Sequence, residues 1–96
     1  MDKLDKLRVA ISDTDKQIAE LFEKRMDVVA QIAHYKNEHD MPIYDRLREE
    51  DLLLRNSHYI NNKNYLPYYT KFQKNMMEIS KSYQEELLWG KDDDIH

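Results

Sequence analysis

Residues 4–36, LDKLRVAISDTDKQIAELFEKRMDVVAQIAHYK, contain neither proline nor glycine and decide how the rest of the chain is read. The apolar positions Leu4, Leu7, Ile11, Ile18, Leu21, Val28 and Ile32 step by threes, fours and sevens, with Thr14 and Arg25 in the two gaps. That is a helical heptad seam with a cation inside it. At 1.5 Å per residue the run extends roughly 50 Å, several times the radius of gyration of about 13 Å expected for a compact domain near this size. The remaining residues cannot cover such a helix, so it calls for a partner chain.

The cations sharpen this expectation. Arg25 and Lys36 are eleven residues apart, which places them within about 20° of each other around the helix and roughly 16 Å apart along it. Two long side chains leaning together there can bracket one small anion. Arg8 lies about 25 Å from Arg25 and is rotated by roughly 100°, too far to join the same pocket from the same chain. If Arg8 serves that pocket, it comes from a second subunit packed antiparallel.

Outward from the long helix, His39-Asp-Met-Pro-Ile43 reads as a loop, because Pro42 disfavours helix at Met41. A second helix is expected from about Asp45 to His58 or Tyr59, with Asp45, Arg48 and Glu49 on one face of its first turns. Asn61-Asn-Lys-Asn64 is turn chemistry, and Pro67 suits the first turn of a third helix running to about Leu88. Its stripe is Leu66, Tyr69, Phe72, Met76, Ile79, Tyr83 and Leu87, flanked by Ser80 and Gln84 four residues apart. Met1 to Lys3 are expected to fray. Residues 1–90 read as one all-α domain, and 91–96 as a disordered acidic tail or linker.

Composition narrows the classes further. The 96 residues are 41% hydrophobic and 35% charged, with one glycine and two prolines, which fits one helix-rich domain. There is no cysteine, hence no disulfide framework and no thiolate site, and the cytoplasm is the expected compartment. No apolar run resembles a signal peptide or a membrane span. The net charge of −4 weighs against nucleic acid, so an anionic ligand must be drawn by a local cluster of cations. The four histidines are scattered, no metal-ligand spacing is present, and neither metal nor cofactor is expected.

On spacing alone, every polar residue near the seam also has a structural reading. Arg25 can set register, Asp45 can cap a helix, and Arg48 with Glu49 can be surface charge. His34, His39 and His58 read as exposed, and the tyrosines from Tyr59 to Tyr69 as packing. Periodicity by itself stops at a helical dimer or bundle of unstated purpose.

Leu7-Arg8-x-x-Ile11, Asp15, Glu23-Lys-Arg25, Lys36, Pro42-Ile-x-Asp45-x-x-Arg48-Glu49 and Ser80-x-x-x-Gln84 together resemble the all-helical class of chorismate mutases. The resemblance runs from Leu7 to about Leu88 and is specific, because its polar positions are dispersed over three helices. It implies an intertwined homodimer of one very long and two shorter helices per chain, converting chorismate to prephenate in phenylalanine and tyrosine biosynthesis. The Claisen rearrangement it implies needs no nucleophile, metal or cofactor. By similarity, Arg25, Arg48 and the partner's Arg8 grip the substrate carboxylates with help from Ser80. Lys36 and Gln84 face the ether oxygen, and Glu49 with the Asp45 segment holds the ring hydroxyl. Two alternatives stay open: an isochorismate-pyruvate lyase on the same scaffold, and a non-catalytic helical dimerisation or regulatory module.

Overall fold

The computed structural model describes residues 2–90. Among them are three α-helices and a short 3-10 turn, with no strand: α1 Lys3–Glu38, α2 Arg46–Ser57, the turn Lys63–Tyr65, and α3 Leu66–Trp89. The expected tail at 91–96 lies outside the described residues.

Local chemistry sets each boundary. α1 begins earlier than expected, because the Asp2 side chain accepts the Asp5 amide at 2.8 Å and caps the helix, so Lys3 is helical rather than frayed. At the other end Asp40 adopts φ 54°, and the Met41 and Asp40 amides return to the carbonyls of Lys36 and Asn37 at 2.8 and 3.4 Å. This paired closure satisfies two terminal carbonyls and turns the chain toward Pro42. The second helix starts one residue after Asp45, whose side chain accepts the Arg48 amide at 3.0 Å. Asn62 accepts the Asn64 amide at 3.0 Å in the turn, and a proline in the first turn opens α3.

α3 packs against both α1 and α2. Their shared core is small: among the described residues, the buried apolar side chains are Val29, Ala33 and Met77. The buried stripe of α3 is Gln73, Met77, Ser80 and Gln84, offset by one residue from the apolar stripe read in the sequence. One residue is 100° of helix, so Phe72 and Ile79 of the apolar stripe stay exposed within a single chain.

α1 extends far past this core. Its 36 residues span about 54 Å at 1.5 Å each, equal to the longest dimension of the molecule, 54 Å. Every residue from Asp2 to Lys24 is exposed, including Leu7 at 55% and Leu21 at 65%. The radius of gyration is 17.2 Å, against about 13 Å for a compact chain of this length. Tyr59, Tyr65 and Tyr68 are also exposed, so these tyrosines do not supply the packing expected of them within one chain.

Candidate active site

The buried end of α1, the start of α2 and the second half of α3 enclose an open cavity of about 520 Å³. Seven of the eight site residues read from the sequence line it: Arg25, Lys36, Asp45, Arg48, Glu49, Ser80 and Gln84. Arg8 does not. It lines a separate shallow groove near the start of α1 with Asp5, Val9, Ser12 and Asp13.

Helical phase and capping bring the seven together. The Arg25 guanidinium donates to the Ser80 hydroxyl, which in turn donates to the Met76 carbonyl at 2.8 Å. Ser80 thereby fixes the guanidinium across the α1–α3 contact while most of its five N–H donors remain for a ligand. The Lys36 ammonium donates to the Ile43 carbonyl at 2.8 Å, using one of three donors and tying the loop to the end of α1. Capping by Asp45 fixes the first turn of α2, and with it the directions of Arg48 and Glu49. Arg48 lies 3.7 Å from Asp51 and is about half exposed at the cavity rim.

Gln84 differs from the other six. Its side chain is buried, and its Oε1 has no hydrogen-bond partner. An unpaired buried amide atom costs on the order of 1–3 kcal/mol, and a ligand bound in the cavity it lines would relieve that cost. Rotation of the terminal amide by 180° puts Nε2 in the place of Oε1, so the group can donate as well as accept. Gln73, three turns earlier on the same stripe and 1% exposed, also lacks partners for both amide atoms, but it lines none of these cavities.

Two polar cavity residues were not singled out from sequence. Asn56 continues the stripe Asp45, Glu49 and Leu52 at the spacing of a helix face, a signal the sequence already contains. Lys81 is the other. Its ammonium is 3.2 Å from Glu49 and 2.8 Å from Glu78, and 4.5 Å above the ring of Tyr44. Hydrogen bonding to Glu78, and less strongly the pairing with Glu49, raises its pKa above the ordinary lysine value against the opposing effect of burial. The cavity wall thus carries four cations, Arg25, Lys36, Arg48 and Lys81, against two carboxylates, Asp45 and Glu49. Glu78 and Asp51, outside the wall, pair with Lys81 and Arg48, so the positive charge available to a small anion comes chiefly from Arg25 and Lys36, in a chain of net charge −4.

Among the described residues, no group of three or more His, Asp or Glu side chains is placed to hold a metal ion. No helix among them is long and apolar enough to cross a membrane.

Residues 7–85 match the model of the chorismate mutase type II family. The chain belongs to that family. T-protein of Haemophilus influenzae is 38% identical over 53 residues, which cover 55% of this chain and 14% of T-protein, so the chain corresponds to a small part of that relative. No solved structure matches the chain. The family match spans all three helices and contains every one of the eight site residues.

Proposed function

We propose that this chain catalyses the rearrangement of chorismate to prephenate, as a homodimer in which each cavity is completed by Arg8 of the opposite chain. The observation that carries the reading is the convergence of seven dispersed polar residues, from all three helices and the N-cap of α2, on one cation-lined cavity. Its 520 Å³ is within the range of small-molecule sites. The place of the reaction in phenylalanine and tyrosine biosynthesis follows from the resemblance to the helical chorismate mutases, and the cytoplasm from the cysteine-free composition.

The chemistry asks little of proton transfer. One carbon–carbon bond forms as the ether C–O bond breaks within a single molecule, and the barrier falls when the flexible enolpyruvyl arm is held over the ring. Arg25, fixed by Ser80, and Arg48 are suited to the two carboxylates as planar guanidinium forks. Negative charge grows on the ether oxygen as its bond breaks. Lys36 and Gln84 line the cavity as donors that stabilise this charge more in the transition state than in the ground state. Glu49 accepts the ring hydroxyl, and Asp45 orients the turn that carries Glu49.

A dimer is supported by the surface left over in one chain. Its accessible area of 7919 Å² exceeds the about 5,900 Å² expected of a compact folded monomer of this mass. The excess of about 2,000 Å² is on the scale that one partner contributes to a large obligate interface. An apolar groove of about 580 Å³ between α1 and α3, lined by Ile18, Leu21, Phe22, Phe72, Met76 and Ile79, is the natural seat for the matching helix of a second copy.

The test is incubation of the purified chain with chorismate, following its loss and the appearance of prephenate. Prephenate formation is expected. Chorismate left intact would overturn the function, and release of pyruvate from isochorismate without prephenate from chorismate would favour the lyase.

A further inference from the structure

Glu49 presents a difficulty inside the proposed site. A carboxylate on the wall of a cavity that takes a dianion repels it, and a glutamate side chain has several rotamers from which to choose. The structure supplies a counterweight from another helix. Lys81, 32 residues later in the chain, places its ammonium 3.2 Å from Oε2 and 3.5 Å from Oε1 of Glu49.

This pair differs from the ion pairs within α2. Arg46–Glu50, Arg55–Asp51 and Arg48–Asp51 join neighbours on one helix with both side chains about half exposed or more, where solvent screens most of the attraction. Lys81 and Glu49 join two helices and are only 20% and 24% exposed. An ammonium has three N–H donors, and Lys81 has three partners: Glu49 on α2, Glu78 one turn back on α3, and the Tyr44 ring in the loop. Little of the group remains to hold a ligand directly. The Glu49 carboxylate, in contrast, has about four acceptor directions and keeps several for a hydroxyl.

We propose that Lys81 is a positioning residue: it fixes the Glu49 carboxylate toward the cavity and offsets its charge, so that Glu49 receives the ring hydroxyl of the dianionic substrate. The inference rests on the role given to Glu49 above. Lys81 acts through Glu49 in binding rather than on the breaking bond, so its loss falls mainly on KM. The raised pKa of Lys81 keeps its charge in place at neutral pH.

The experiment compares kcat and KM for chorismate in the wild-type chain, Lys81→Met, Lys81→Arg, Glu49→Gln and the Lys81→Met, Glu49→Gln double variant, with a melting curve for each. Lys81→Met is expected to raise KM by at least about fivefold with kcat within about threefold of wild type, Lys81→Arg to recover most of that loss, and the double variant to match Glu49→Gln. A smaller rise in KM, a loss confined to kcat, no recovery with Arg, or effects that multiply in the double variant would overturn the role. Should Lys81→Met be unfolded at the assay temperature, Lys81→Gln takes its place; unfolding of both would assign Lys81 to stability alone and also overturn it. A wild-type chain that leaves chorismate intact removes the function and this role together, whereas an active wild type with an unchanged KM in Lys81→Met removes this role only.

Discussion

The ammonium of Lys36 and the carbonyl of Ile43, seven residues apart, are joined by a 2.8 Å hydrogen bond that crosses the mouth of the loop between α1 and α2. Lys36 therefore has two tasks: it anchors the loop that leads to Asp45, and it keeps two donors for a ligand. Removing an oxyanion donor typically costs two to three orders of magnitude in turnover, so Lys36→Ala is expected to lose at least about a hundredfold in kcat. Turnover within tenfold of wild type would contradict the catalytic task and leave only the anchor.

Gln84 carries a neutral amide in a buried position, so in the proposed role of donor to the ether oxygen it needs no proton, and activity is expected to vary little around neutral pH. A glutamate introduced there would be ionised in water but opposed by burial, and as a carboxylate it would face the developing oxyanion. Gln84→Glu is therefore expected to work best in acid and to lose activity as pH rises toward neutrality, measured as kcat against pH. A flat profile in this variant would contradict the placement of Gln84 at the ether oxygen.

Asp45 carries a structural contribution that can be separated from chemistry. Its side chain accepts the Arg48 amide at 3.0 Å, and loss of such a cap costs about 1 kcal/mol. Asp45→Asn, which retains a capping oxygen, is expected to melt within a degree or two of wild type, and Asp45→Ala several degrees lower. Equal melting temperatures for wild type and Asp45→Ala would show that the cap contributes nothing.

Lys81 predicts an alkaline limit. Its folded-state pKa lies above the ordinary 10.5, so its contribution is fully present below that value and is lost as pH climbs through the raised one. The gap in melting temperature between wild type and Lys81→Met is expected to stay constant from about pH 6 to pH 9 and to close above about pH 10.5. A gap that closes between pH 7 and 9 would contradict the pairing with Glu78 and Glu49.

The three helices were legible because their signals are local: an unbroken heptad seam in α1, Pro42 in the loop, and Pro67 at the start of α3. The Asp2 cap was equally local, and the expectation of fraying at Lys3 overlooked the three-residue spacing from Asp2 to Asp5, Met1 lying outside the described residues. The sequence grouped Arg25 with Lys36 by helical phase. The meeting of those two with Arg48, Ser80 and Gln84 is a tertiary fact, which spacing within separate helices cannot supply. Lys81 was hidden for a different reason. Three residues after Glu78, it reads as half of an ordinary surface pair, and its bond to Glu49 depends on how α2 and α3 pack. The exposed tyrosines mark the opposite limit, since an aromatic-rich segment reads as packing while Tyr59, Tyr65 and Tyr68 lie exposed in the single chain.

If two chains share each site, subunit complementation restores activity to a mixture of inactive variants. Arg8→Ala and Arg25→Ala are each expected to be nearly inactive as homodimers. In a mixed dimer one cavity receives Arg25 from the first chain and Arg8 from the second, while the other cavity lacks both. Co-refolding equal amounts of the two variants with chorismate as substrate is therefore expected to restore about a quarter of wild-type activity, from random pairing with one intact site per mixed dimer. Activity that stays at the level of the separate variants after exchange, or a chain that sediments as a monomer at the concentrations at which it turns over chorismate, would rule out a site shared between two chains.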